Sequence, residues 1–211
     1  GRLYDKWWSE ADLPTPETDH PLWALQSTNT RSLSSTWRCK ECHGWDYKGA
    51  GGAYSSGSHY TGFPDVIQAG ATMSKEELVG VLQGSTDYRH DFSSVMGATD
   101  LEDLANFLSE GLINDTPYVD YAIGELASPN TSHGKELYAG TCTACHGGDG
   151  RQILFDGTLG IGSIARDEPT VEILHKLRSG QPGTSMPSAI VNGWSIQDSV
   201  DVLGYIKTLP E

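Results

Sequence analysis

The sequence predicts an all-α chain built from two tandem units, and three observations predict it. The pattern C-x-x-C-H occurs twice, as Cys39-Lys40-Glu41-Cys42-His43 and Cys142-Thr143-Ala144-Cys145-His146. The segments that follow the two copies align with each other at a nearly constant offset, the mark of an internal repeat. Apolar residues in the aligned segments recur at helical rather than strand spacing.

The repeat sets the elements in order. With Gly84 on Gly180, an offset of 96, Leu78 falls on Leu174, Val81 on Leu177 and Ser74 on Thr170 without a gap. Ser74-Lys75-Glu76-Glu77 has the form of a capping box, and Thr170 is expected to cap the matching helix, where Val171, Leu174 and Leu177 share one face. Gly84 and Gly180 stand near the helix ends, where glycine is favoured. The same register puts Met186 opposite His90. Farther on, 103–108 matches 201–206 at an offset of 98, giving two amphipathic helices ended by Gly111 and Pro210.

A chain of 211 residues allows one large domain or two small ones. The formal net charge of −14 and a pI near 4.7 disfavour nucleic acid and anionic membrane surfaces as partners, and fit a partner with a basic docking surface. No apolar run approaches the roughly 18 residues of a membrane-spanning helix. The sequence shows no basic segment followed by an apolar one, so a mature, exported form without its signal peptide is expected, periplasmic or extracellular.

All four cysteines lie in the two motifs, which leaves none for a disulfide framework. The chemistry of C-x-x-C-H is haem attachment: two thiols add to the porphyrin vinyl groups, and the adjacent imidazole is held against the iron. A redox dithiol, or a zinc site assembled from Cys39, Cys42, Cys142 and Cys145, are the alternatives, and neither requires a histidine after each pair. The expected cofactors are two covalently bound haem c, attached at Cys39/Cys42 and Cys142/Cys145 and ligated by His43 and His146.

With these residues in place, the second half resembles class I cytochrome c: Gly134-Lys135-Glu136-Leu137-Tyr138 is similar to the family's N-terminal helix, 142–147 to its haem site, Met186-Pro187 to its distal loop and 203–210 to its last helix. The resemblance implies an all-α fold, a low-spin haem and electron transfer. The first half resembles the same family with departures. Tyr4 stands 35 residues before Cys39, whereas Tyr138 stands four before Cys142, so a Pro/Thr/Ser-rich insertion at 11–36 separates helix from motif. A second, Gly-rich excursion covers 49–62. Both are expected to be ordered loops over the haem edge, because Trp23, Trp37, Tyr54 and Tyr60 are out of place in disorder. The expected organisation is two tandem cytochrome c-like haem domains, 1–112 and 131–211, joined by a linker at 113–130 that carries Pro117 and Pro129.

Distal ligands follow from the register. Met186 is the candidate for haem 2; a thioether opposite imidazole raises the potential. For haem 1, His90 occupies the slot of Met186, with Met96 the alternative and His59 third. Met73 precedes the cap Ser74 and reads as a staple onto Leu78. His20, His133 and His175 have no positional support and read as exposed or hydrogen-bonded side chains. No pair of carboxylates stands out for acid–base work, so no catalytic residue is assigned. The expected function is electron transfer between a redox donor and acceptor. The alternatives are a dihaem oxidoreductase, thiosulfate dehydrogenase-like or peroxidase-like, and a haem-bearing subunit of a larger or conductive assembly.

Overall fold

The computed structural model describes all 211 residues, and they divide into two compact units: 1–113 with 182–185, and 114–181 with 186–211. The chain is mostly helical, with only two short strands.

In the first unit, α1 (Arg2–Glu10) buries Tyr4, Trp7 and Trp8, and α2 (Cys39–His43) is the first motif itself. α3 (Ile67–Thr72) and α4 (Lys75–Leu82) follow. The capping box is present at α4: Ser74 Oγ accepts from Glu77 N–H, and the Glu77 carboxylate accepts from Ser74 N–H. α5 (Ala98–Asn106) turns Leu101, Leu104 and Ala105 inward and runs into a wider helical turn, Phe107–Gly111. The insertion at 11–36 is ordered and contains two short 3-10 turns, Pro21–Leu25 and Leu33–Trp37. Trp23 and Tyr54 are buried, Trp37 is half-buried, and Tyr60 is exposed.

In the second unit, the stretch expected as a linker carries an antiparallel hairpin, β1 (Val119–Asp120) and β2 (Glu125–Leu126). It is fastened to its own unit, since Gly124 O accepts from Thr170 Oγ1 at 2.6 Å and Glu125 pairs with Lys207. Helices α6 (Thr131–Thr141), α7 (Thr143–His146), α8 (Ile161–Asp167), α9 (Thr170–Ser179) and α10 (Ile196–Ile206) complete it. Thr170 does not cap α9. Pro169 holds the cap position, and the Thr170 hydroxyl is drawn instead to the hairpin carbonyl.

The tightest packing joins α6 to α10. A Cβ on Gly134 would lie 1.9 Å from Asp201 O, so only glycine lets the two backbones meet. Gly140, on the same helix, faces open space. Gly134→Ala should therefore destabilise the second unit by about 3 kcal/mol, whereas Gly140→Ala should stabilise it by up to about 1 kcal/mol through helix propensity; denaturant melts of the two variants measure both.

The same contact carries a charge pair. His133 Nδ1 lies 3.0 Å from Asp201 Oδ2 and 3.7 Å from Asp198 Oδ1. The bond to Asp201 raises the His133 pKa. Burial alone would raise Asp201, but His133, Asn130 N–H and Gln197 hold it below the usual carboxylate range. The histidine's contribution to stability is present below its ordinary pKa of 6.5 and is lost as pH rises through its raised value. The aspartate's is present above 3.8 and is lost as pH falls through its lowered value. The pair thus contributes fully between about pH 4 and about pH 6.5, and His133→Gln should flatten the decline in melting temperature above that window.

Candidate haem sites

The two motifs fold alike. Cys39 opens α2 and His43 closes it; Cys142 precedes α7 and His146 closes that helix. The next residue is a glycine with positive φ in each case, Gly44 at +76° and Gly147 at +77°, which turns the chain away after the histidine. A buried tyrosine hydroxyl donates to each glycine carbonyl: Tyr4 to Gly44 O at 2.7 Å and Tyr138 to Gly147 O at 2.8 Å. Each tyrosine also meets an aromatic ring of the closing helical segment, Phe107 at 5.7 Å and Tyr205 at 5.4 Å between centroids. Burial pushes the Tyr138 pKa up to about 12 and that of Tyr4 well above its ordinary value, so both hydroxyls stay protonated donors.

The first motif borders a cavity of about 280 Å³. Cys39, Cys42 and His43 line one side, His90 another, and the remaining wall is largely apolar, including Leu78, Val81, Phe92, Leu104 and Leu108. His43 Nδ1 bonds to Pro64 O at 2.8 Å, and His90 Nδ1 bonds to Val81 O at 3.2 Å. Each ring thereby spends its Nδ1 proton on a backbone carbonyl, which leaves Nε2 as the lone-pair nitrogen. Burial lowers His43 to about 4 and lowers His90 as well, so both are neutral imidazoles at pH 7. Their ring centroids are 6.5 Å apart and their planes cross at 82°. Burial also pushes the Cys39 thiol up to about 12 and raises Cys42, the opposite of an activated redox dithiol. No group of three or more His, Cys, Asp or Glu side chains is arranged to hold a free metal ion.

His90 sits on a short 3-10 turn, Tyr88–His90, whose loop is closed at its base by the bridge between Gln83 and Asp91 and by Phe92 N–H to Leu82 O. Met96 is buried but does not line the cavity. Met73 does line it. His59 stacks on Tyr54 and lies 3.6 Å from the Glu41 carboxylate, away from the cavity wall.

In the second unit, Cys142 is half-buried, Cys145 exposed and His146 half-buried. His146 Nδ1 is buried and has no hydrogen-bond partner. Met186 is half-buried in the irregular stretch between α9 and α10.

Sequence reasoning missed His20. It is 4% exposed and lines the cavity on the side of His90, with ring centroids 6.2 Å apart. It lies in the insertion, which has no counterpart in the second half, so the repeat carried no signal for it. His175 is buried on α9, and His133 is held by Asp201.

These residues fit a covalent haem: a largely apolar chamber beside the motif in the first unit, and two motifs of similar backbone form, each ended by a histidine and a positive-φ glycine. The family model described as Cytochrome c matches residues 131–210, a little over a third of the chain. No curated protein and no solved structure matches the sequence. The chain therefore contains a cytochrome c domain at residues 131–210, with the covalent haem c and the electron-transfer role that such a domain implies.

Proposed function

We propose that the protein is a dihaem electron carrier made of two tandem cytochrome c-like domains, 1–112 and 131–211, joined through the hairpin-bearing segment 113–130. The observation that carries this reading is the recurrence of one constellation: Tyr4, Gly44 and Phe107 repeat the contacts of Tyr138, Gly147 and Tyr205 around the two motifs. Haem attaches at Cys39/Cys42 and Cys142/Cys145. Haem c supplies a one-electron ferric/ferrous couple when bound.

For haem 1 the ligands are His43 and His90. A metal-bound imidazole nitrogen lies about 2.0 Å from its metal, so two imidazoles on opposite sides of one ion have centroids roughly 6 Å apart; the 6.5 Å between these rings supports the assignment. For haem 2 they are His146 and Met186. The partners are a redox donor and acceptor with a basic docking surface, complementary to the net charge of −14, and the protein acts in the periplasm or outside the cell. The oxidoreductase alternative requires a first iron that opens readily. His90 is instead held by its own N–H to Asp87 O at 2.8 Å and by the closed base of its loop.

Mass spectrometry of denatured protein made with a competent maturation system should find two haems per chain, and Cys39→Ser with Cys42→Ser should leave one. A single haem in the parent overturns the dihaem reading. The parent should be low-spin at both haems and inert to modest cyanide. His90→Gly should give one high-spin or water-bound ferric haem that takes up exogenous imidazole, whereas Met96→Leu should alter packing only. Ready cyanide binding by the parent favours the oxidoreductase.

A further inference from the structure

We propose that His20 is a positioning residue that holds the His90 ring perpendicular to the His43 ring, and that the insertion at 11–36 serves to deliver it. This rests on His43 and His90 as the ligands of haem 1. A histidine bound through Nε2 keeps a soft χ2 torsion. Its ring plane is therefore set by what touches it, and the bond from His90 Nδ1 to Val81 O, 3.2 Å long, is a loose tether. The rest comes from a wall of rings. Phe92 meets His90 edge-on at 5.2 Å and 83°, and His20 meets it at 6.2 Å and 65°.

His20 is itself fixed on every side. Its N–H donates to Thr36 Oγ1 at 2.8 Å, and Thr36 in turn donates to Leu33 O. Its Nδ1 accepts from Leu22 N–H, capping the turn Pro21–Leu25. Its ring packs on Trp37 at 4.6 Å and on Phe92 at 5.2 Å. Because Nδ1 accepts, the proton lies on Nε2, which is buried and has no partner in the protein. The ring therefore acts on His90 by shape.

The consequence is electronic. With crossed ligand planes, each imidazole donates π density to a different iron d orbital, so two orbitals stay nearly degenerate and the low-spin ferric ion becomes strongly anisotropic. Parallel planes load one orbital and give an ordinary rhombic ion. The observed 82° predicts the first state.

The test is low-temperature electron paramagnetic resonance with near-infrared magnetic circular dichroism on the oxidised holoprotein. The parent should show a bis-histidine charge-transfer band and a strongly anisotropic low-spin signal at haem 1. His20→Phe keeps a ring in the wall and should keep the signal. His20→Asn keeps an acceptor for Leu22 N–H but removes the ring, and should move haem 1 toward a rhombic signal while haem 2 is unchanged. Should His20→Asn not fold, Phe92→Leu thins the same wall from its other side and should produce the same shift. A bis-histidine band with a rhombic signal in the parent, or an unchanged signal in His20→Asn, overturns this role for His20 and leaves the ligands standing. Absence of the bis-histidine band overturns the ligand assignment, and this inference with it.

Discussion

One hydrogen bond, made twice, buried in the first unit and partly buried in the second, organises both units. A tyrosine on the first helix donates to the carbonyl of the glycine that ends each motif, while its ring rests against the last helical segment. Three segments meet at that side chain, the opening helix, the motif turn and the closing helical segment, with helix and motif 40 residues apart in the first unit and nine in the second. The net worth of such a bond is only about 1 kcal/mol. Its directional content is larger, since removal would strand a carbonyl and a hydroxyl in positions that water reaches poorly. The glycine is equally constrained, because its positive φ aims the carbonyl at the tyrosine.

Around this shared frame, the two motifs are dressed differently. In the first, Lys40 and Glu41 are buried beneath the insertions. Glu41 is fully buried, bonded to Lys40 at 2.5 Å and to Arg31 at 2.7 Å, with Asn29 Nδ2 at 3.4 Å. Burial alone would raise its pKa, but Lys40, Arg31 and Arg38 together hold it low. Lys40 also lies over the Trp45 ring at 5.0 Å. In the second motif the same two positions are Thr143 and Ala144, half-buried and exposed. A charge-rich pair between the first two cysteines is thus the counterpart of a polar covering that the second motif lacks, and a fully buried charge tolerates that site only when paired.

The helices, their caps at Ser74 and their apolar faces were legible in the sequence because local chemistry fixes them: a hydroxyl three residues before a carboxylate, and apolar residues every three or four positions. The sequence pointed to His90 because the chain carries two versions of one pattern and the repeat aligned it with Met186, and the structure puts its side chain on the wall of the cavity beside the first motif. Thr170 shows the limit of such local rules. Its position suggested a cap, but a carbonyl 46 residues away competed for the hydroxyl and won.

By itself the sequence determined the mostly helical class, the internal repeat and the residue types for covalent haem attachment, since each is written in short-range spacing. The tertiary structure decided what lies far apart in the chain: His20 beside His90, Arg31 on Glu41, and the hairpin fastened to Thr170 and Lys207. Those contacts depend on how insertions without internal periodicity close back onto the core. Such closure is set by packing between distant segments, which leaves no regular spacing in the sequence to read.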